Sequence, residues 1–192
     1  MFRRFVGWCL PEHDRKAQNE VDSVFTHLAT EDDRALALTG ALVIENAIDG
    51  FLNAHIPEYT KLKDKKDFTF SLKISLARAL KLCPSRLFGA ADTIRDVRND
   101  FAHKLSISTF AECKPEHLRS IEGHLRQITT NQLDYQDNRN VFKTLVTLVF
   151  LALRGYTLHV YRLNEYIRDN DSDFIRGFEM YCKANYANLG EN

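Results

Sequence analysis

Residues 94–103 read Ile94-Arg95-Asp96-Val97-Arg98-Asn99-Asp100-Phe101-Ala102-His103, and their spacing decides the fold. At about 100° per residue, Ile94, Val97, Phe101 and the following Leu105 fall at about 0°, 300°, 340° and 20° around a helix, forming one apolar seam. On the same count Arg98 lies at roughly 40°, Arg95 at roughly 100°, Asn99 at roughly 140° and His103 at roughly 180°. The spacing predicts a helix over 85–104 that packs on a core through the seam and turns His103 away from it. Asn99 and His103 are four apart and share a ridge, and the long Arg98 side chain can reach around to join them.

The same period recurs along the chain and predicts helices over 12–28, 30–56, 71–82, 115–129, 138–168 and 173–187, about seven in all. Thr30-Glu31-Asp32-Asp33 offers an N-cap with an acid three positions on, Pro115 suits a first helical turn and Asp137 an N-cap. Pro57 and the charged stretch 61–67 form the first long connection, and Cys83-Pro84-Ser85 breaks the chain before the helix quoted above. With only 8 Gly and 4 Pro, no alternating strand, no internal repeat and no flexible linker, the expectation is an all-α protein, a single helical bundle over 1–192.

The second helix carries Leu36, Leu42, Val43, Ile44, Ala47, Ile48 and Phe51 around most of its circumference, as a central helix does. Ala35, Ala37, Gly40 and Ala41 keep its early surface thin, which allows close approach of a neighbour. Arg34, Glu45 and Asp49 fall within about 60° of one another as a narrow polar stripe. That stripe reads either as a solvated face or, with Arg98, as a small-molecule pocket.

With 44% apolar residues the chain can bury a core without staples, and 26 basic against 26 acidic residues argue against strong non-specific attraction to nucleic acid or membrane. Cys9, Cys83, Cys113 and Cys182 have no paired spacing, which fits a reducing, cytoplasmic setting. The basic and apolar start, residues 1–10, is too short for a signal peptide, and the apolar run 144–153 is about half of the roughly 20 residues that cross a bilayer. It reads as a core helix, and no membrane is expected. His55, His117 and His124 lack metal-ligand spacing, and there is no Gly-rich phosphate loop or nucleophile elbow, so neither metal nor cofactor is expected. Residues 76–87 have the break of a helix-turn-helix, but the second helix would present Phe88-Gly89-Ala90-Ala91, which offers little beyond Ser85 and Arg86 to base edges. Tyr156, Tyr161, Tyr166, Phe174, Phe178, Tyr181 and Tyr186 make the C-terminal third aromatic, at spacings that favour packing over base stacking.

The run Arg98-Asn99-Asp100-Phe101-Ala102-His103 resembles the Arg, polar residue, spacer, His motif of the HEPN superfamily of helical bundles. Together with 33–41 (Asp33-Arg34-Ala35-Leu36-Ala37-Leu38-Thr39-Gly40-Ala41), 70–80 (Phe70-Ser71-Leu72-Lys73-Ile74-Ser75-Leu76-Ala77-Arg78-Ala79-Leu80) and Phe110, the order is similar to the mannitol operon repressor-like (MltR-like) family over roughly 30–110. The segment 64–69 departs from it in lacking a Gly-rich start. The resemblance implies a transcription-regulating interaction module, a homodimer with a regulatory protein partner, and no DNA-reading motif of its own. Arg34, Glu45, Lys73 and Arg95 are the candidate binding residues.

Some HEPN proteins are metal-independent ribonucleases, and the resemblance therefore implies an alternative in which RNA is the partner and Arg98, Asn99 and His103 are the catalytic candidates. A ribose 2′-OH attacking its own phosphate needs a base, an acid and a positive group. His103 can be base or acid, Arg98 can hold phosphate through paired donors, and Asn99 can orient the imidazole. One chain supplies one such histidine, so the resemblance implies a composite site in which two chains pair through the outward face. The competing reading is structural: Arg98 in a salt bridge with Glu45 or another acid, and Asn99 with His103 in polar contacts between helices.

Overall fold

The periodicities resolve into helices in a computed structural model, which describes residues 15–63, 65–128 and 134–169 and the side chains of 19–63, 65–128 and 134–161. The helix expected over 173–187 lies outside the described residues. In chain order the elements are α1 (Arg15–His27), α2 (Asp33–His55), α3 (Tyr59–Lys63), α4 (Phe70–Ala79), α5 (Ser85–His103), a 3-10 turn (Phe110–Glu112), α6 (Pro115–Ile128) and α7 (Asn138–Asp169). They form an all-α bundle of seven helices, with no strand among the described residues. Contacts group residues 1–157 into one compact unit and 158–192 into another; the packing below is that of the first.

Local chemistry sets the boundaries. The N-cap of α2 is Asp32, whose carboxylate accepts the Ala35 N–H at 2.7 Å, two residues after the expected Thr30. Thr30 is instead spent on the Asp32 N–H at 3.2 Å, a turn that competes with capping. Thr69 caps α4, which stops at Ala79 rather than 82 because Lys81 takes a left-handed conformation (φ 55°) ahead of Pro84. Asp137 caps α7 as expected, accepting the Asn140 N–H at 3.0 Å. The first connection, expected to be irregular, contains α3, because buried Tyr59 anchors it by donating its hydroxyl to Asp49 Oδ1 at 2.6 Å.

Two helices share the centre. The α5 helix packs against α2, α4 and α6, and α2 packs against α3, α4 and α5. Near its start α2 sends Arg34 to the end of α5, and near its end Phe51 meets Phe88 of early α5 edge-on at 6.0 Å, so the two run antiparallel. Ser71 and Arg78 of α4 meet Arg95 and Asp92 of α5, which makes this pair antiparallel as well. Ile94, Val97 and Phe101 are fully buried as the seam predicts, and so are Leu36, Ile44, Ile48 and Phe51 of α2.

Two apolar assignments are corrected. Leu105, placed in the seam, is 93% exposed, because α5 ends at His103 and Lys104 turns to an extended conformation. Leu42 of α2 is exposed as well. The end of α5 is set by Arg34, whose guanidinium donates to the carbonyls of Phe101, Lys104 and Ile107. Helix C-termini leave carbonyls without partners, and a cation there also meets the negative end of the dipole.

The thin surface of α2 has the consequence read from sequence. A β-carbon at Gly40 would sit 3.0 Å from both Phe142 Cε1 and Val146 Cγ2, so α7 lies directly on the glycine. Phe142 continues an aromatic chain through Phe110, at 4.9 Å, to Phe101, at 5.1 Å. Both α2 and residues 138–161 have the length and hydropathy of a membrane span, and half or more of each apolar window is buried inside the bundle.

Two substitutions test this packing. Gly40→Val forces branched methyls against Phe142 and Val146, and urea unfolding is expected to show a loss of about 1–3 kcal/mol despite the better helix propensity. Arg34→Ala leaves three carbonyls without their charged donor, and a loss of about 2–4 kcal/mol is expected in the same measurement. A Gly40→Val variant as stable as the parent would refute the close α2/α7 contact.

Candidate functional site

The outward ridge of α5 carries the residues singled out by sequence. Arg98 is exposed and donates from Nη1 to Asn99 Oδ1 at 3.0 Å. Asn99 is half-buried, and His103, on the last helical turn, is exposed with no hydrogen-bond partner among the described residues. Helical spacing puts Asn99 and His103 on one ridge, but no hydrogen bond joins them. The structural alternative is corrected on one point. Arg98 forms no ion pair among the described residues, because Glu45 is taken by Lys73 at 2.8 Å.

The four candidate binding residues are spent inside the fold. Arg34 closes the end of α5. Lys73, only 8% exposed in its side chain, bridges Glu45 at 2.8 Å and Asp49 Oδ2 at 3.0 Å. Burial alone lowers the Lys73 pKa, but its hydrogen bonds to Glu45 and Asp49 and their charges outweigh this and raise it above the ordinary lysine value. Asp49 is buried and is joined there by Tyr59, so the polar stripe is no solvated face. Burial, then the Asp49 hydrogen bond and charge, push the Tyr59 phenol well above its usual range. Arg95 spans Asp92 and Asp96, each at 2.8 Å, and donates to Ser71 Oγ at 3.0 Å, while Arg78 pairs with Asp92. Arg34, Glu45 and Arg98 share no hydrogen bond or ion pair among the described residues.

The 76–87 segment is a packing element. Leu87, Phe88, Ala90 and Ala91 are buried, and a β-carbon at Gly89 would lie 3.2 Å from His124 Cε1, so the face that would enter a DNA groove is inside the bundle. His124 meets Thr93 Oγ1 at 3.2 Å, and burial lowers its pKa. His55 bonds the Phe51 carbonyl at 2.6 Å, and no metal-holding group of His, Cys, Asp or Glu occurs among the described residues. Burial pushes the thiols of Cys83 and Cys113 up to about 11 and about 12, which leaves both poorly nucleophilic.

One cluster was missed by the sequence reading. Asp100 is 4% exposed and accepts from Lys104 Nζ at 2.6 Å on one oxygen and from His117 Nδ1 at 2.8 Å on the other. Burial alone would raise its carboxyl, but the Lys104 hydrogen bond and the charge and hydrogen bond of His117 win, holding it below the usual carboxylate value. Its local signal was weak, since Asp100 lies between seam and ridge and its imidazole partner is 17 residues away on another helix.

No protein-family model, curated protein or solved structure matches this chain.

The Asp100 cluster has a pH signature. A carboxyl whose folded pKa lies below its unfolded value adds stability that is fully present above the unfolded pKa and is lost as pH falls through the folded one. Wild-type protein is therefore expected to lose its stability advantage over Asp100→Asn as pH drops from about 5 to below about 3. Urea unfolding of both proteins across that window measures it. A constant difference would show that Asp100 is not held ionised by Lys104 and His117.

Proposed function

We propose that this chain is an MltR-like regulatory protein, a cytoplasmic transcription-regulating interaction module that works as a homodimer through the outward ridge of α5. The observation that carries the reading is the state of that ridge among the described residues: Arg98 exposed and unpaired with any carboxylate, Asn99 beside it, and His103 without a partner. Arg34, Arg78, Arg95 and Lys73 are held by protein groups, whereas among the described residues Arg98 meets only Asn99. The buried 88–91 face supports regulation through a protein partner rather than through base reading.

A second reading is favoured by an exposed guanidinium and an exposed imidazole five residues apart on one helix: a HEPN-type, metal-independent ribonuclease centred on Arg98, Asn99 and His103. A phosphodiester needs a charged fork and a proton carrier, and the ridge offers both.

The two readings separate in experiment. For the regulator, sedimentation is expected to show a dimer that Arg98→Glu converts to monomer with Tm unchanged. Loss of the chain in its host is expected to alter transcript levels that wild type restores and Arg98→Glu does not. A monomer whose loss leaves transcripts unaltered would overturn that reading. For the ribonuclease, chelator-treated protein is expected to cut single-stranded RNA but not DNA, with the activity lost in folded His103→Ala; intact RNA across about pH 5–8 would remove it.

A further inference from the structure

Two imidazoles on one line of α6 hold it to α5, and they meet opposite chemistry there. His117 and His124 are seven residues apart and fall within about 20° of each other around the helix. They face Asp100 and Thr93, themselves seven apart on α5. We propose that α6 is a pH-operated flap: protonation of His124 in mild acid releases its C-terminal half, residues 121–128, from α5, while the His117–Asp100 contact keeps the N-terminal half in place. This regulation goes beyond the reading of the ridge and does not depend on what the ridge binds.

The seat of His124 is made for a neutral ring. Its Cε1 lies 3.2 Å from the point that a β-carbon at Gly89 would occupy, so the imidazole rests on bare backbone. Its Nε2 meets Thr93 Oγ1 at 3.2 Å, and because that hydroxyl donates to the Gly89 carbonyl at 3.3 Å, it faces the ring as an acceptor. One proton on Nε2 satisfies this contact. A second, on Nδ1, meets no acceptor among the described residues. Ile121 and Leu125 beside it are buried, so this is the packed face of α6.

The charges around the two rings differ in the same sense. His117 Nδ1 lies 2.8 Å from Asp100 Oδ2, so a second proton on that ring gains a full ionic partner, while Lys104 holds the other oxygen at 2.6 Å. Opposite His124, the acids of α5 are already committed: Asp96 to Arg95 at 2.8 Å, and Asp92 to Arg95 and Arg78. Arg86, seven residues before Thr93 on the same line, carries a like charge. On α6, Glu116, Arg119, Glu122 and Arg126 lie about 80–160° around from His124. Glu122 is bound to Arg126, and that guanidinium also covers the Tyr135 ring at 4.5 Å. Burial accordingly holds the His124 imidazole below its ordinary value, with no carboxylate to offset it.

A histidine whose closed-state pKa lies below its open-state value adds stability that is present above the ordinary value, about 6.5, and is lost as pH falls through the lowered one. Lifting residues 121–128 returns the His124 ring to water, so acid favours the lifted form. Each unit by which burial lowers the ring raises the lifted population about tenfold. The same acid leaves His117 on Asp100, whose carboxyl burial would raise but Lys104 and His117 hold low, so that contact outlasts the release. A helix anchored at one end and loosened at the other hinges between the two imidazoles instead of detaching.

The test follows backbone hydrogen exchange of the full chain between about pH 7.5 and pH 5, with each rate divided by the intrinsic rate of an unfolded chain at that pH. Residues 121–128 are expected to lose protection by roughly three- to tenfold on acidification, while 117–120 and 94–101 keep theirs. His124→Gln, uncharged throughout and still able to donate to Thr93, is expected to abolish the loss. No loss in wild type, a loss that persists in folded His124→Gln, or one shared equally by α2, α5 and the whole of α6 would overturn the proposal. Should His124→Gln fail to fold, wild type decides by itself. A loss that levels off as the His124 ring takes its proton in the NMR spectrum supports the flap, and one that follows another histidine overturns it.

Discussion

The guanidinium of Arg34 against the carbonyls of Phe101, Lys104 and Ile107 is the contact on which the arrangement of the ridge depends. A helix that could continue past His103 would carry Leu105 into the seam, as the period of the sequence invites. A charged donor from the start of α2 offers those carbonyls a better partner than another turn of helix would, and the chain leaves the helix at Lys104. His103 consequently sits on a final turn, open on its outer side. Lys104, the first residue past the helix, folds back onto Asp100 at 2.6 Å. One long-range interaction thus sets the helix length, the exposure of His103 and half the environment of Asp100.

A second charged centre fixes α4 against α2. Lys73 enters a nearly dry space between Glu45 and Asp49, where desolvation is offset only because both carboxylates and the Tyr59 hydroxyl converge. Such a centre contributes less to net stability than to register, since a shift of one residue along α4 would take Lys73 from both acids and leave Asp49 only the more distant Lys63 at 3.8 Å. The Arg95 fork on Asp92, Asp96 and Ser71 sets the register of α4 on α5 in the same way. A chain with equal numbers of acids and bases spends many of its cations on itself, and this sets apart an Arg98 that finds no acid among the described residues.

The fold was largely legible because it depends on local periodicity. Ile94, Val97 and Phe101 could be assigned to one buried line from spacing alone, and close approach of some helix to α2 was implied by Gly40 and its small neighbours, though not that the helix would be α7. What failed to read out has a common physical origin in contacts between residues far apart in sequence. The Arg34 cap joins residues 67 to 73 apart, and the Asp49/Lys73 pair spans 24. Helical counting placed Asp49 on a polar stripe but could not say that α4 and α3 would cover it. The outward ridge was legible as a pattern, whereas Asp100 with His117 was not, because neither residue marks its partner in sequence.

The loop that follows α5 explains why an exposed ridge can still be an ordered one. Asp33 and Arg34 are consecutive in the first turn of α2 and act on that loop with opposite polarity: the carboxylate accepts the Phe110 N–H at 3.0 Å, while the guanidinium donates to carbonyls at 101, 104 and 107. Within the loop, Glu112 accepts from the Ser108 and Thr109 N–H groups, which holds its carboxyl below the usual value. Its far end is tied by His117 to Asp100. The segment between α5 and α6 is therefore held by side chains along its length, and the entropy of ordering it is met by folding rather than by binding. His103 and His117 stand on the two helix ends that this loop joins.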